Sequence, residues 1–267
     1  MIKIEKVSVA GFEPAIRGMR NPKNSWAKSD SHPGLSGDEW SYDPGYIIGP
    51  NDKKLAISLA KGGSVHAKYR RQIVVWCDIT APLYWWKEFD TYKVGTVANS
   101  CSTMHKIHSK EFTIDDFSHE LLFDMHDEPQ PYVDNIMYCV NSKMMLQMTI
   151  ESLNGLRENF VRTNDRRYWY AMIQLLPTSY NQKRTVTMSY ENLASMECYR
   201  HNHKLDEWRE FCKWAETLPY SWIFTTKPAR EESVTYDDVE AWLDKHSKDL
   251  TPENRELLIE MLQDTGD

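Results

Sequence analysis

The chain has 267 residues, 41% of them hydrophobic, a formal net charge of −7 and a pI near 5.7. That length and apolar content suffice for a large domain with its own core, while the acidic balance argues against a general nucleic-acid surface, which needs excess lysine and arginine. Five cysteines (Cys77, Cys101, Cys139, Cys198 and Cys212) include no CxxC pair, which favours reduced thiols over a disulfide framework and gives no zinc-ribbon spacing.

Ile2 to Val9 alternates apolar and polar residues, as a strand does, and Gly11 precedes a short helix to about Arg20. This opening lacks the apolar run of a signal peptide, and no stretch of about 18 apolar residues follows. The expectation is a cytoplasmic protein without a membrane partner. Residues 21–50 are rich in Pro, Gly, Ser and Asp and read as a long loop. Asn51 to Lys61 reads as a helix behind an Asn cap, ended by Gly62 and Gly63. Gln72 to Thr80 is apolar on both faces, as in a central strand. Pro82 then opens an aromatic helix in which Trp85 and Trp86 are expected in the core. Its end runs into a polar loop with Cys101 and Ser102 side by side.

Residues 107–131, with Asp115, Asp116, Asp124, Asp127 and Glu128, read as a solvated acidic loop. A long helix is expected from about Asn135 to Arg162, its stripe of Leu146, Ile150, Leu153, Leu156 and Phe160 thickened by Met137, Met144, Met145 and Met148 as core filler. A helix from Tyr168 to Leu176 closed by Pro177, a strand from Arg184 to Ser189, and helices from Glu191 to Tyr199 and Lys204 to Leu218 follow. Two short capped helices, from Thr235 and from Thr251, complete the tail.

Several of these pieces stand in a familiar order. DITAPLY (Asp78 to Tyr84) before a helix, the pair Leu176-Pro177, and NLASMECYR (Asn192 to Arg200) followed by DEWR (Asp206 to Arg209) resemble the flavin-dependent thymidylate synthases, ThyX. The resemblance covers residues 1–218 and leaves 219–267 as a C-terminal helical extension. It implies an α+β fold with a central sheet covered by helices, assembled as a homotetramer that shares its sites between subunits.

It also implies flavin- and folate-dependent one-carbon transfer to a dUMP-like pyrimidine nucleotide, with FAD supplying hydride and methylenetetrahydrofolate the carbon. The family signature R-H-R falls on Thr91-Tyr92-Lys93, and the serine of N-E-x-S-x-R falls on Ser102. The register is kept; the arginines are gone. Arginine grips a phosphate through a planar fork that lysine lacks, so Lys93 replaces one contact at most.

Where the family has Asn, Arg and Asn, this chain has Ser189, Glu191 and Ser195, and a glutamate there repels a pyrophosphate. His66 falls on a family histidine, while Lys68 and Arg71 fall on a Thr and a Glu. Arg71 is therefore a candidate partner for Glu191. Glu88, next to Lys87, falls on a substrate-contacting Gln, and Arg200 on the arginine that binds substrate. The resemblance thus implies Thr91, Tyr92, His66, Lys68, Arg71, Ser189 and Ser195 for cofactor, and Arg200, Glu88 and Lys87 for substrate. Arg200 could equally cap helix carbonyls, and Lys87 and Glu88 could be solvated surface charges.

For chemistry, Lys93, Ser102 and Cys101 are the candidates, since a thiolate adds to an activated pyrimidine carbon. The alternative, favoured by the lost arginines, is a nucleotide-binding protein on the same fold without that catalysis. A third reading builds a metal-dependent hydrolase on His105 and His108 with His201 or His203. No glutamate stands at general-base spacing, so surface histidines are the expectation and no metal is assigned.

Overall fold

Val75, Cys77, Ile79 and Ala81 are buried along one face of a nine-residue strand, while Trp76 between them is 40% exposed. The period of two sets the architecture: one face of the sheet carries the core, the other stays open. The computed structural model describes residues 2–34, 45–124, 132–133, 136–137 and 141–228. In chain order the elements are β1 (Lys3–Ala10), α1 (Phe12–Arg20), β2 (His32–Pro33), β3 (Tyr46–Ile47), α2 (Pro50–Lys61), β4 (Val74–Pro82), α3 (Leu83–Phe89) and β5 (Val97–Ser100). There follow β6 (Tyr132–Val133), β7 (Ile136–Met137), α4 (Ser142–Thr163), α5 (Arg166–Leu175), β8 (Asn181–Ser189), α6 (Tyr190–Arg200), α7 (Asp206–Glu216) and α8 (Trp222–Thr225).

The main sheet is antiparallel with strand order β1-β4-β8-β5. This is the expected α+β arrangement, with helices on one face rather than both. The register places Ser8, Trp76, Thr187 and Val97 in one row across the open face. Aromatic packing fills the covered face: Trp85, Trp86, Tyr190, Trp208 and Phe211 are essentially inaccessible, and the Trp85 ring lies 4.8 Å from Trp208 and 5.1 Å from Phe89. The placement of Trp85 and Trp86 in the core holds.

A second cluster joins Leu146, Ile150, Leu153 and Met172 of α4 and α5 to Ile107, Phe112 and Phe117. The stretch read as a solvated acidic loop is therefore anchored by three buried apolar side chains. Asp116 closes a capping box with Thr113 and pairs with Lys110, and Asp124 pairs with Lys143; Asp127 and Glu128 lie outside the described residues.

Other expectations shift. The strand Val97–Ser100 lies inside the supposed polar loop, because its V-A-N-S composition has neither alternation nor strong β propensity. The long helix starts at Ser142, capped by the Asn141 side chain, which accepts from the Met144 amide; β6 and β7 occupy the chain before it. Met144, Met145 and Met148 are about half exposed rather than filling the core. Pro82 is the N-cap of α3 and the last residue of β4, and α2 is capped by Gly49 with Pro50 in its first turn. Cys139 and the two helices expected from Thr235 and Thr251 lie outside the described residues.

Candidate functional site

The helix α3 is short because its C-terminal carbonyls find partners at once: the Thr91 hydroxyl donates to the Glu88 carbonyl at 2.7 Å. The chain then turns at Tyr92 and runs along α6, where the Thr96 hydroxyl donates to the Tyr92 carbonyl and the Asn192 side-chain amide donates to the Val94 carbonyl at 2.6 Å. Gly95 makes this approach possible, at φ 82° and with room for a Cβ only 3.1 Å from the Asn192 oxygen.

At the far end of α6 a polar cluster forms around Glu88. Its Oε2 accepts from Trp208 Nε1 at 2.8 Å and lies 3.2 Å from Arg200 Nη1 and 3.3 Å from His203 Nε2. The Arg200 Nε donates to the Tyr92 hydroxyl at 3.0 Å, and the guanidinium carbon sits 5.2 Å from the Trp208 ring and 5.7 Å from the Tyr92 ring. Arg200 is thus no carbonyl cap, and Glu88 is no solvated surface charge. The guanidinium is held by two polar partners and two rings at a side chain 22% exposed, and among the described residues Nη2 makes no hydrogen bond. Two tethered nitrogens and one available nitrogen make a preorganised cation.

Of the predicted substrate residues, Arg200 and Glu88 come together, joined by Tyr92 from the predicted cofactor set. Lys87 and Lys93 are exposed and form no ion pair among the described residues. Trp208 and His203 were missed as members of this cluster; the one signal available was that both follow closely after Arg200, in the turn and in the first turn of α7.

The predicted chemistry does not assemble. Ser102 Oγ accepts from the amides of Met104 and His105 at 3.2 and 2.8 Å, so it shapes a turn. Cys101 is an exposed free thiol whose backbone extends the sheet, its amide donating to the Lys183 carbonyl at 2.9 Å. Among the described residues neither side chain meets a base. His105 and His108 line a shallow pocket with Phe160, Arg166 and Trp169, while His201 and His203 bind different carboxylates elsewhere. The four histidines form no common centre.

Of the other predicted cofactor residues, Ser189 caps the first turn of α6 and Ser195 lies in its middle, while Tyr92 stands at its far end beside Arg200. The turn Lys68–Gln72 packs against α6, and its His66, Lys68 and Arg71 neighbourhood is exposed. Ser189 is engaged in a capping box with Asn192, and Ser195 is half-buried. Glu191 Oε2 is buried without a hydrogen-bond partner, so the expected pairing of Arg71 with Glu191 is absent. A flavin pyrophosphate needs converging cations or free amides. A serine already capping a helix and an orphaned buried carboxylate do not fit that need.

A cleft of about 580 Å³, not foreseen from the sequence, opens where Tyr84, Ser118, Lys204, Glu207 and Glu210 face one another. The Tyr84 hydroxyl donates to Glu207, and burial together with that carboxylate pushes the phenol above its usual range.

The architecture is that of the flavin-dependent thymidylate synthases, in a divergent form. Thymidylate synthase X from Helicobacter pylori, solved with FAD and dUMP, superposes with a TM-score of 0.56 at 16% identity, covering 84% of this chain and 97% of that one. A second structure of the Helicobacter pylori enzyme with the same ligands gives 0.55 at 16%, covering 85% and 99%. The UMP/dUMP methylase PolB from Streptomyces cacaoi, bound with 5-Br dUMP, gives 0.51 at 14%, covering 86% and 97%. No family model and no curated protein matches the chain in sequence. Among the described residues no helix is long and apolar enough to cross a membrane.

Proposed function

We propose that the chain binds a pyrimidine nucleoside monophosphate at the C-terminal end of α6, with Arg200 as its anion contact and Lys93 as a weaker one. The observation that carries this reading is the Arg200 guanidinium, aligned by Glu88 and Tyr92 through Nη1 and Nε, with Nη2 making no hydrogen bond among the described residues. The ligands of the structural neighbours support the class: dUMP in the Helicobacter pylori enzyme and 5-Br dUMP in the UMP/dUMP methylase. Calorimetric titration with dUMP and UMP tests it directly.

One-carbon transfer from methylenetetrahydrofolate with FAD is the second reading, favoured by the exposed Cys101 thiol at the end of β5. Against it stands the donor set near α6's first turn. Flavin binding is therefore expected to be weak, with little absorbance near 450 nm, roughly the usual oxidised-flavin band, in the purified protein. Glu191→Arg removes the orphaned carboxylate and adds a cation, and should raise flavin affinity about tenfold, near the low end for a hydrogen bond to a charged group. Unchanged flavin retention would count against placing the cofactor there.

The expected homotetramer gains its support from a different surface than the aromatic helix, whose Trp85, Trp86 and Phe89 are buried within the subunit. Trp76 and Val97 are 40% and 64% exposed on the open sheet face, and Met144, Met145 and Met148 line α4. Surfaces of this kind mark association sites. Light scattering at micromolar concentration should give four copies; a monomer would remove the argument for sites shared between subunits.

A further inference from the structure

Beside Arg200, where α6 ends near α7, four side chains stand in two matched pairs. Glu197 and His201 are four residues apart at the end of α6, and Cys212 and Glu216 are four apart on α7. Residues at that spacing share one helix face, and the two faces meet. His201 Nδ1 lies 2.8 Å from Glu197 Oε1 and 3.8 Å from Glu216 Oε1. One ligand atom from each of Glu197, His201 and Glu216 falls within 4.8 Å of the others.

Glu197 is the independent pointer to a ligand. Its side chain is 91% buried, being only 9% exposed, and its Oε2 has no hydrogen-bond partner. A buried carboxylate oxygen left without a donor is costly, and a half-exposed histidine on the other oxygen satisfies only half of the group. Glu216 adds a second carboxylate to the same cluster, and a cation is the species that would relieve the pair.

We infer that Glu197, His201 and Glu216 form a binding site for one divalent transition-metal ion of the zinc class, with a further position open to solvent. One imidazole nitrogen and two carboxylate oxygens suit that ion. Around a tetrahedral ion with bonds of about 2.0–2.2 Å, ligand atoms stand roughly 3.3 Å apart, a value that the 2.8 and 3.8 Å separations here bracket. The ion would join the end of α6 to the end of α7 and so fix the turn His201-Asn202-His203, whose two flanks carry Arg200 and the His203 contact to Glu88. The site is structural in role and independent of which nucleotide, if any, the chain binds.

The test uses the full chain stripped with a chelator, in a background where the exposed thiols Cys101 and Cys198 are serine, and titrates it with zinc chloride alone by calorimetry. One ion per chain is expected, with Glu216→Gln and His201→Gln each weakening binding at least about tenfold. Both side chains are about half exposed, at 46% and 49%, so both variants fold, which a melting curve without metal verifies. In the parent, zinc should raise the melting temperature, and in the variants it should not. Absence of one-to-one binding, or binding that survives either substitution, overturns the assignment.

Discussion

Arg200→Ala is expected to weaken dUMP or UMP binding by about 1.5–3 kcal/mol, the range for a hydrogen bond to a charged group, or roughly tenfold to 150-fold. Lys93→Ala should cost less, because Lys93 is exposed and a lysine offers a point charge rather than a fork. The cluster around Glu88 complicates a naive reading. Removing Arg200 also strips one donor from Glu88 and the partner of the Tyr92 hydroxyl, so the melting temperature falls whether or not a nucleotide binds there. Tyr92→Phe separates the two effects. It deletes the bond to Arg200 Nε while keeping the charge and the ring, so it should lower the melting temperature slightly and leave most of the affinity. Unchanged affinity in Arg200→Ala, beside a lowered melting temperature, would sink the nucleotide-site reading.

Asp52→Ala should destabilise the fold by about 3–5 kcal/mol, the loss expected when one partner of a buried ion pair is removed. Asp52 is fully buried in the first turn of α2, and Arg20 Nε at the end of α1 donates to its Oδ1 at 2.5 Å. Its Oδ2 accepts from the hydroxyls of Ser29 and Ser31 at 2.8 and 2.6 Å and from the amides of Asp30 and Ser31 at 3.1 Å. One carboxylate therefore organises the whole stretch between α1 and β2. Burial alone would raise its pKa, but the bonds from Ser31, Ser29, Arg20 and the Asp30 amide outweigh it and hold the group below its ordinary 3.8. The sign follows. A carboxyl depressed in the folded state stabilises the protein above the unfolded value and loses that contribution as pH falls through the folded one. Melting curves between about pH 5 and pH 2 should show wild type losing stability more steeply than Asp52→Asn; parallel curves would show that Asp52 titrates alike in both states.

The elements written in periodic patterns were legible in the sequence. β1, β4, α5, α6 and α7 lie within a few residues of where alternation, prolines and caps put them, because each buries a face whose spacing is its own signature. The order of DITAPLY, Leu-Pro and the arginine-ended α6 was enough to place the fold. What escaped was set by distant partners. β5 is a strand because β8 offers it an edge, not because V-A-N-S favours extension. Ile107, Phe112 and Phe117 are scattered among polar residues, and only the face of α4 makes them a core. In the site, Arg200 and Glu88 could be named from their register, but their mutual pairing could not. That contact joins residues 112 positions apart through a turn whose path depends on Gly95 and Asn192. The pairing of Arg71 with Glu191 failed for the same reason: neighbouring elements bring residues near without fixing where side chains point.

The strand order bears on how the chain reaches this fold. The two central strands, β4 and β8, pair along nine residues from Val74↔Ser189 to Pro82↔Asn181, so even their nearest ends are about a hundred residues apart in the chain. Closing so long a loop costs entropy before any ladder bond repays it, which makes such sheets slow to form. The intervening chain shortens that search. α4 and α5 are consecutive helices that pack on each other and enclose the second core with residues 107–117. In the native fold that unit brings Asn181 back beside Pro82, at one end of the β4–β8 ladder. Through the Phe117–Tyr180 bridge the smaller core is thereby tied to the end of the sheet where Asn181 faces Pro82.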